Sequence, residues 1–139
     1  MLAPKHRVVI DTNLWISFLL TKDLARLDWF FTQEELTLLF SQELLDEFVA
    51  VARRPKFRNY FSLLDLQELL LQVETKADFV RVSSTVELCR DPNDNFLLAL
   101  DGHATHLLTG DQDLLVLGQL NQIPILSIAE YLARLPATP

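Results

Sequence analysis

Cysteine occurs once in the 139 residues, at Cys89, which excludes an intrachain disulfide framework and any cysteine-rich zinc or iron–sulfur site. A lone Cys89 reads as a small buried hydrophobe in a reducing compartment. Glycine occurs three times, and no Walker loop, GxGxxG or GxSxG is present, so phosphate recognition through a glycine-rich loop is not expected. The histidines His6, His103 and His106 have no paired ligand spacing and read as surface or core residues. Apolar runs such as Val8 to Ile10 and Leu97 to Leu100 fall far short of the roughly 20 residues of a spanning helix. The amino-terminal apolar run is too short for a signal-peptide core, and a cytoplasmic location is the expectation. Cations are also scarce: 12 Lys+Arg against 19 Asp+Glu leave a net charge of −7, which opposes long-range attraction to nucleic acid and to anionic membranes. A phosphate backbone that binds here needs local positive charge.

What is abundant is apolar residue. A 50% hydrophobic content with 22% charged residues argues for a folded chain, and the length suits a single domain over residues 1–139. Short apolar segments, His6 to Ile10, Leu36 to Phe40, Phe79 to Val82, His106 to Leu108 and Pro124 to Leu126, read as strands. Helical patterns lie between them, clearest in Ser62 to Asp78, where Leu63, Leu66, Leu70, Val73 and Ala77 recur every three or four residues and Ser62 with Asp65 resembles a capping box. Asp23, Ser41, Asp111 and Ser127 are expected caps of Leu24 to Gln33, Gln42 to Arg54, Gln112 to Leu117 and Ile128 to Leu135. Asp91 or Asn93 caps a helix through Leu100, with Gly102 helping to end it. The βα alternation predicts a three-layer α/β sandwich with right-handed crossovers. Trp29, Phe30, Leu69 and Leu71 lie off the best apolar stripes. Either they face outward, toward a partner or a second copy, or the buried faces are wide.

Asp11 follows the first strand directly in VVIDTN, an expensive place for a carboxylate unless a cation or hydrogen-bond donors neutralise it. Asp111 in LLTGDQD repeats the arrangement after the fourth strand. If those strands are neighbours, their ends lie about 4.8 Å apart, within reach of a shared metal ion. Asn13 and Thr109 are short polar groups placed to orient the two carboxylates, or ordinary turn residues. Asp94, at the start of the helix in CRDPNDNFLLAL, faces the same crevice in a doubly wound sheet, although a helix amino-terminus favours acids in any case. Glu47 lies at the border of the Leu44, Leu45, Phe48 and Ala52 face of its helix, whereas Glu43 and Asp46 point farther outward. Oxygen-only ligands of this kind prefer Mg²⁺ or Mn²⁺ to Zn²⁺.

Taken together, VVIDTNLWIS, ELLDEFVAVARRPKF, CRDPNDNFLLAL and LLTGDQDLL resemble the PIN-domain family, specifically its bacterial toxin-like branch related to VapC ribonucleases. The resemblance runs over nearly the whole chain. It implies a five-stranded parallel sheet of order 3-2-1-4-5 with an acidic set at Asp11, Glu47, Asp94 and Asp111, and Asp113 as a further or alternative acid. Asn13 and Thr109 match its supporting polar positions. Asn95 stands where many relatives carry another acid, which leaves the number of metals open. A small antitoxin covering the crevice, and a homodimer or higher oligomer, are the partners such a protein implies.

The expected activity is hydrolysis of RNA phosphodiesters, with the metal held by Asp11, Asp94 and Asp111 activating water and Glu47 orienting it. Arg53, Arg54, Lys56 and Arg58 would grip the RNA backbone, with Phe57 and Tyr60 available to stack on a base, or they simply complement a helix carboxyl end. Two rival readings are an aspartyl-phosphate phosphohydrolase using Asp11, against which Asn13 replaces the needed second acid, and a catalytically idle protein-binding module.

Overall fold

The computed structural model describes residues 5–82 and 94–135, and of Leu24 and Asp94 only the backbone. Cys89, Asp91 and Asn93 therefore lie outside the described residues. At the centre runs β1 (His6–Ile10), where Val8 and Val9 are both 0% exposed and Ile10 is 1% exposed. Successive strand residues point to opposite faces, so three consecutive buried residues require cover on both. Helices α1 (Thr12–Thr21), α2 (Leu24–Thr32), α3 (Gln42–Ala52), α4 (Leu63–Lys76), α5 (Asp94–Asp101), α6 (Gln112–Leu115) and α7 (Ile128–Arg134) intervene between strands or follow the last. None of the described helices is long and apolar enough to cross a membrane.

Parallel to β1 lie β2 (Leu36–Phe40) on one side and β4 (His106–Leu108) on the other. The sheet continues to β3 (Asp78–Phe79) beyond β2, and to β6 (Ile123–Leu126) beyond β4. These five parallel strands have the anticipated order, with β6 as the fifth. A sixth, β5 (Gln119–Leu120), is added antiparallel at the edge, giving β3-β2-β1-β4-β6-β5. The extra strand corrects the expected count of five. It is made by a tight hairpin in which Asn121 and Gln122 both take positive φ, 46° and 73°, the twist that a two-residue turn needs.

A second correction concerns β3, which starts at Asp78 rather than Phe79 and is only two residues long. The amide of Val80 still donates to Phe40 O at 2.8 Å, but residues 81 and 82 leave the ladder. Helix α4 accordingly stops at Lys76, because Ala77 is already extended. The expected side-chain caps form at Asp23, Ser41, Ser62, Asp111 and Ser127, with complete capping boxes at Ser62 and Ser127.

Trp15 anchors the core beside the end of β1. Its ring lies 5.4 Å from that of Phe40 and 5.8 Å from those of Phe18 and Phe31. Its indole Nε1 donates to Ile10 O at 3.1 Å, so the buried polar atom is satisfied. Phe30 and Leu69 also enter the core, at 1% and 2% exposure, so the apolar faces of α2 and α4 are wider than a single stripe. Trp29 is half-buried, and Leu71 alone of the four faces solvent.

Candidate metal-binding active site

The carboxyl end of β1 meets the carboxyl end of β4 in register, with Ile10 opposite Leu108. That pairing sets Asp11 beside Thr109, and the Asp11 amide donates to Leu108 O at 2.9 Å. Asp11 is 4% exposed and Thr109 is fully buried. The Thr109 hydroxyl donates to Asp11 Oδ2 at 2.8 Å and accepts from the Asp111 amide at 3.0 Å. One hydroxyl thus couples the two strand-end acids, as a side chain with one donor and two lone pairs can. Asp111 itself is exposed, and its Oδ1 accepts from the Asp113 amide at 2.9 Å while capping α6.

The other oxygen of Asp11, Oδ1, accepts from Asn95 Nδ2 at 3.1 Å and, at 3.4 Å, from the backbone amide of Asn13. The Asn13 residue is exposed, so it approaches Asp11 by its main chain. Asp11 also caps α1, with its carbonyl accepting from the amides of Leu14 and Trp15. Glu47 is exposed on α3, next to the fully buried Phe48. Its neighbour Asp46 accepts from Gln42 Nε2 at 2.9 Å. The side chain of Asp94, which begins α5, is outside the description.

Compared with protein-family models, residues 7–113 match the PIN domain, well over half of the chain. The chain belongs to the PIN-domain family. No curated protein and no solved structure matches it. PIN domains have a nuclease-type fold, and this one carries its buried aspartate at the carboxyl ends of two neighbouring parallel strands.

In this PIN domain Asn95, noted in the sequence only as an amide where relatives carry an acid, is a hydrogen-bond partner of Asp11. It is 5% exposed and reaches Asp11 from the first turn of α5. The bond to Asp11 had no signal in the sequence beyond a short polar residue at that position, immediately after Asp94 and before an apolar helix run.

The donor set suits a hard cation. Among the described residues no Lys, Arg or His pairs with Asp11, although it is buried. Oδ2 accepts one hydrogen bond and keeps a lone pair, and nearby Thr12 has a buried hydroxyl with no partner among the described residues. No three His, Cys, Asp or Glu side chains converge among the described residues, and the expected third ligand, Asp94, is not among those whose side chains are described. Arg53, Arg54, Lys56 and Arg58 cluster elsewhere, around the turn between α3 and α4, and all four are exposed.

Proposed function

We propose that this PIN domain is a metal-dependent endoribonuclease, with Asp11, Asp94 and Asp111 as ligands of Mg²⁺ or Mn²⁺. The observation that carries the reading is Asp11: a carboxylate buried at the end of the central strand, held by neutral donors and lacking a protein cation among the described residues. Burial of an anion is costly unless it is compensated, and the donors of Thr109 and Asn95 compensate only in part. When bound, the divalent ion supplies charge neutralisation and activates water for in-line attack on the phosphodiester.

The chain's own residues prepare that site. Thr109 and Asn95 fix the plane of the Asp11 carboxylate, each through one of its oxygens. Thr109 also holds the Asp111 backbone, so the exposed acid starts from a fixed point at the rim. Glu47 and Asp113 are the remaining acids of the proposed site, with Glu47 orienting the attacking water. Rigid mounting of this kind lowers the reorganisation needed at the moment of reaction.

The toxin role, a cognate antitoxin, self-association and a cytoplasmic setting belong to the same proposal, resting on the sequence resemblance. Exposed Leu63, Leu64 and Leu71, each 62% accessible on α4, support a protein-covered surface.

The test is cleavage of RNA with and without Mg²⁺ or Mn²⁺ by wild type, Asp11→Asn and Asp94→Asn. Metal-dependent cutting by the wild type and its loss in both variants, with unchanged circular dichroism, is the expected outcome. Equal activity in all three proteins would overturn the proposal and point to a contaminating nuclease.

A further inference from the structure

We infer that the cavity between the end of α3 and the start of α4 is a phosphate-gripping subsite for single-stranded RNA, a choice of ligand that rests on the nuclease reading above. The cavity has a volume of about 260 Å³, and its lining includes Arg53, Arg54, Phe57, Arg58, Phe61 and Ser62. It shares no residue with the Asp11 network.

Three arginines line one concavity, and none forms an ion pair with a described residue. In a chain of net charge −7 with 19 acids, such a cluster without a carboxylate partner is a local reversal of the overall field. The backbone builds it. Arg53 caps the carboxyl end of α3, Arg54 is extended, and the tight turn Pro55–Phe57 brings the chain round to Arg58. The favourable interaction of a cation with a helix carboxyl end accounts for Arg53, whereas Arg54 and Arg58 lie beyond the helix.

Planar guanidiniums match the oxygens of a phosphate two at a time. The helix amino-terminus at Ser62 adds no free donor from its capping pair, since the Ser62 amide donates to Asp65 Oδ2 and the Asp65 amide donates to Ser62 Oγ. Recognition of an anion therefore falls to the arginines. The cavity is below the ~300–1,000 Å³ of typical small-molecule sites, in keeping with one backbone phosphate and its sugar. Aromatic residues flank the arginines: Tyr60 is 59% exposed, while Phe57 is half-buried with Lys56 Nζ 5.0 Å from its ring and stacks at 5.8 Å on the buried Phe61. A cluster of cations beside the exposed Tyr60 ring suits a single strand, whose bases are free to stack. An acidic peptide would use the arginines but not the rings.

The test separates binding from cutting. Fluorescein-labelled single-stranded RNA is titrated by anisotropy, in EDTA and over a range of salt, with wild type and the triple variant Arg53→Ala, Arg54→Ala, Arg58→Ala. Loss of three phosphate contacts should weaken binding at least about tenfold and flatten the log–log salt slope by about two. The single variant Arg54→Glu, at an exposed extended residue, should weaken binding in the same direction and keeps the test decisive should the triple variant misfold. Unchanged affinity and slope in folded variants would overturn the subsite while metal-dependent cleavage, if intact, leaves the nuclease reading standing. A wild type that binds through these arginines but never cuts would sink the nuclease reading and keep the subsite. Equal competition by a poly-glutamate peptide of matched charge would overturn the RNA assignment in favour of an acidic protein segment.

Discussion

The side-chain amide of Asn95 donates to Asp11 Oδ1 at 3.1 Å across a sequence separation of 84 residues. A neutral donor thus occupies a position from which a carboxylate would repel Asp11. The amide satisfies one carboxylate oxygen without adding to the anionic charge of the site.

Asn95→Asp should therefore make the apo protein less stable, by about 2–4 kcal/mol, because two buried like charges would replace a donor and an acceptor. Addition of Mg²⁺ or Mn²⁺ should restore more of the melting temperature in the variant than in the wild type. Thermal unfolding with and without each ion checks this. A variant whose loss is the same in metal and in EDTA would show that residue 95 lies outside the metal's reach.

Gly102 tolerates no side chain for a packing reason. A Cβ there would lie 2.8 Å from Leu98 O and 2.9 Å from Leu39 Cδ1. Gly102→Ala should destabilise the fold by about 1–3 kcal/mol by forcing α5 away from β2. Urea unfolding should show a lower midpoint with an unchanged slope.

A pH dependence arises at the other end of the sheet. Burial, the nearby His6 and Arg134 push the His106 imidazole down from 6.5 to about 4. The folded protein keeps His106 neutral while the unfolded chain takes up a proton below 6.5, so stability falls as pH drops from 6.5 toward 4 and this contribution is flat below. The loss should be about 2 kcal/mol once solvent screening is allowed for. Tyr131, pushed up to about 12 by burial, does not titrate in that window. Chemical unfolding at successive pH values should show a shallower fall in His106→Gln. An identical profile in the variant would assign the acid sensitivity to other groups.

Much of this architecture was legible because local signals and burial agree. Continuous apolar residues marked β1 as covered on both faces, and the side chains of Asp23, Ser41, Ser62 and Ser127 cap the helices they precede. Asp11 stood out as an acid directly after a buried strand, and Thr109 as a polar residue just before Asp111. Asn95 was legible as an amide at an acid's position, but its bond to Asp11 was not, because that partner is brought close only by the crossover. The β5–β6 hairpin was missed since Asn121 and Gln122 lack the glycine that usually announces positive φ. Phe30 and Leu69, which a one-stripe wheel left open between solvent and a wide buried face, are buried because α2 and α4 are covered over broad arcs.

The indole of Trp15, clasping the carbonyl of Ile10 from within the aromatic core, has a consequence for how Asp11 keeps its place. Strand ends ordinarily fray, but here the last link before the acid is bolted to the least compressible part of the molecule. The aim of that carboxylate is inherited from the interior, and damage deep beneath it would misalign it as surely as a change at the mouth of the crevice.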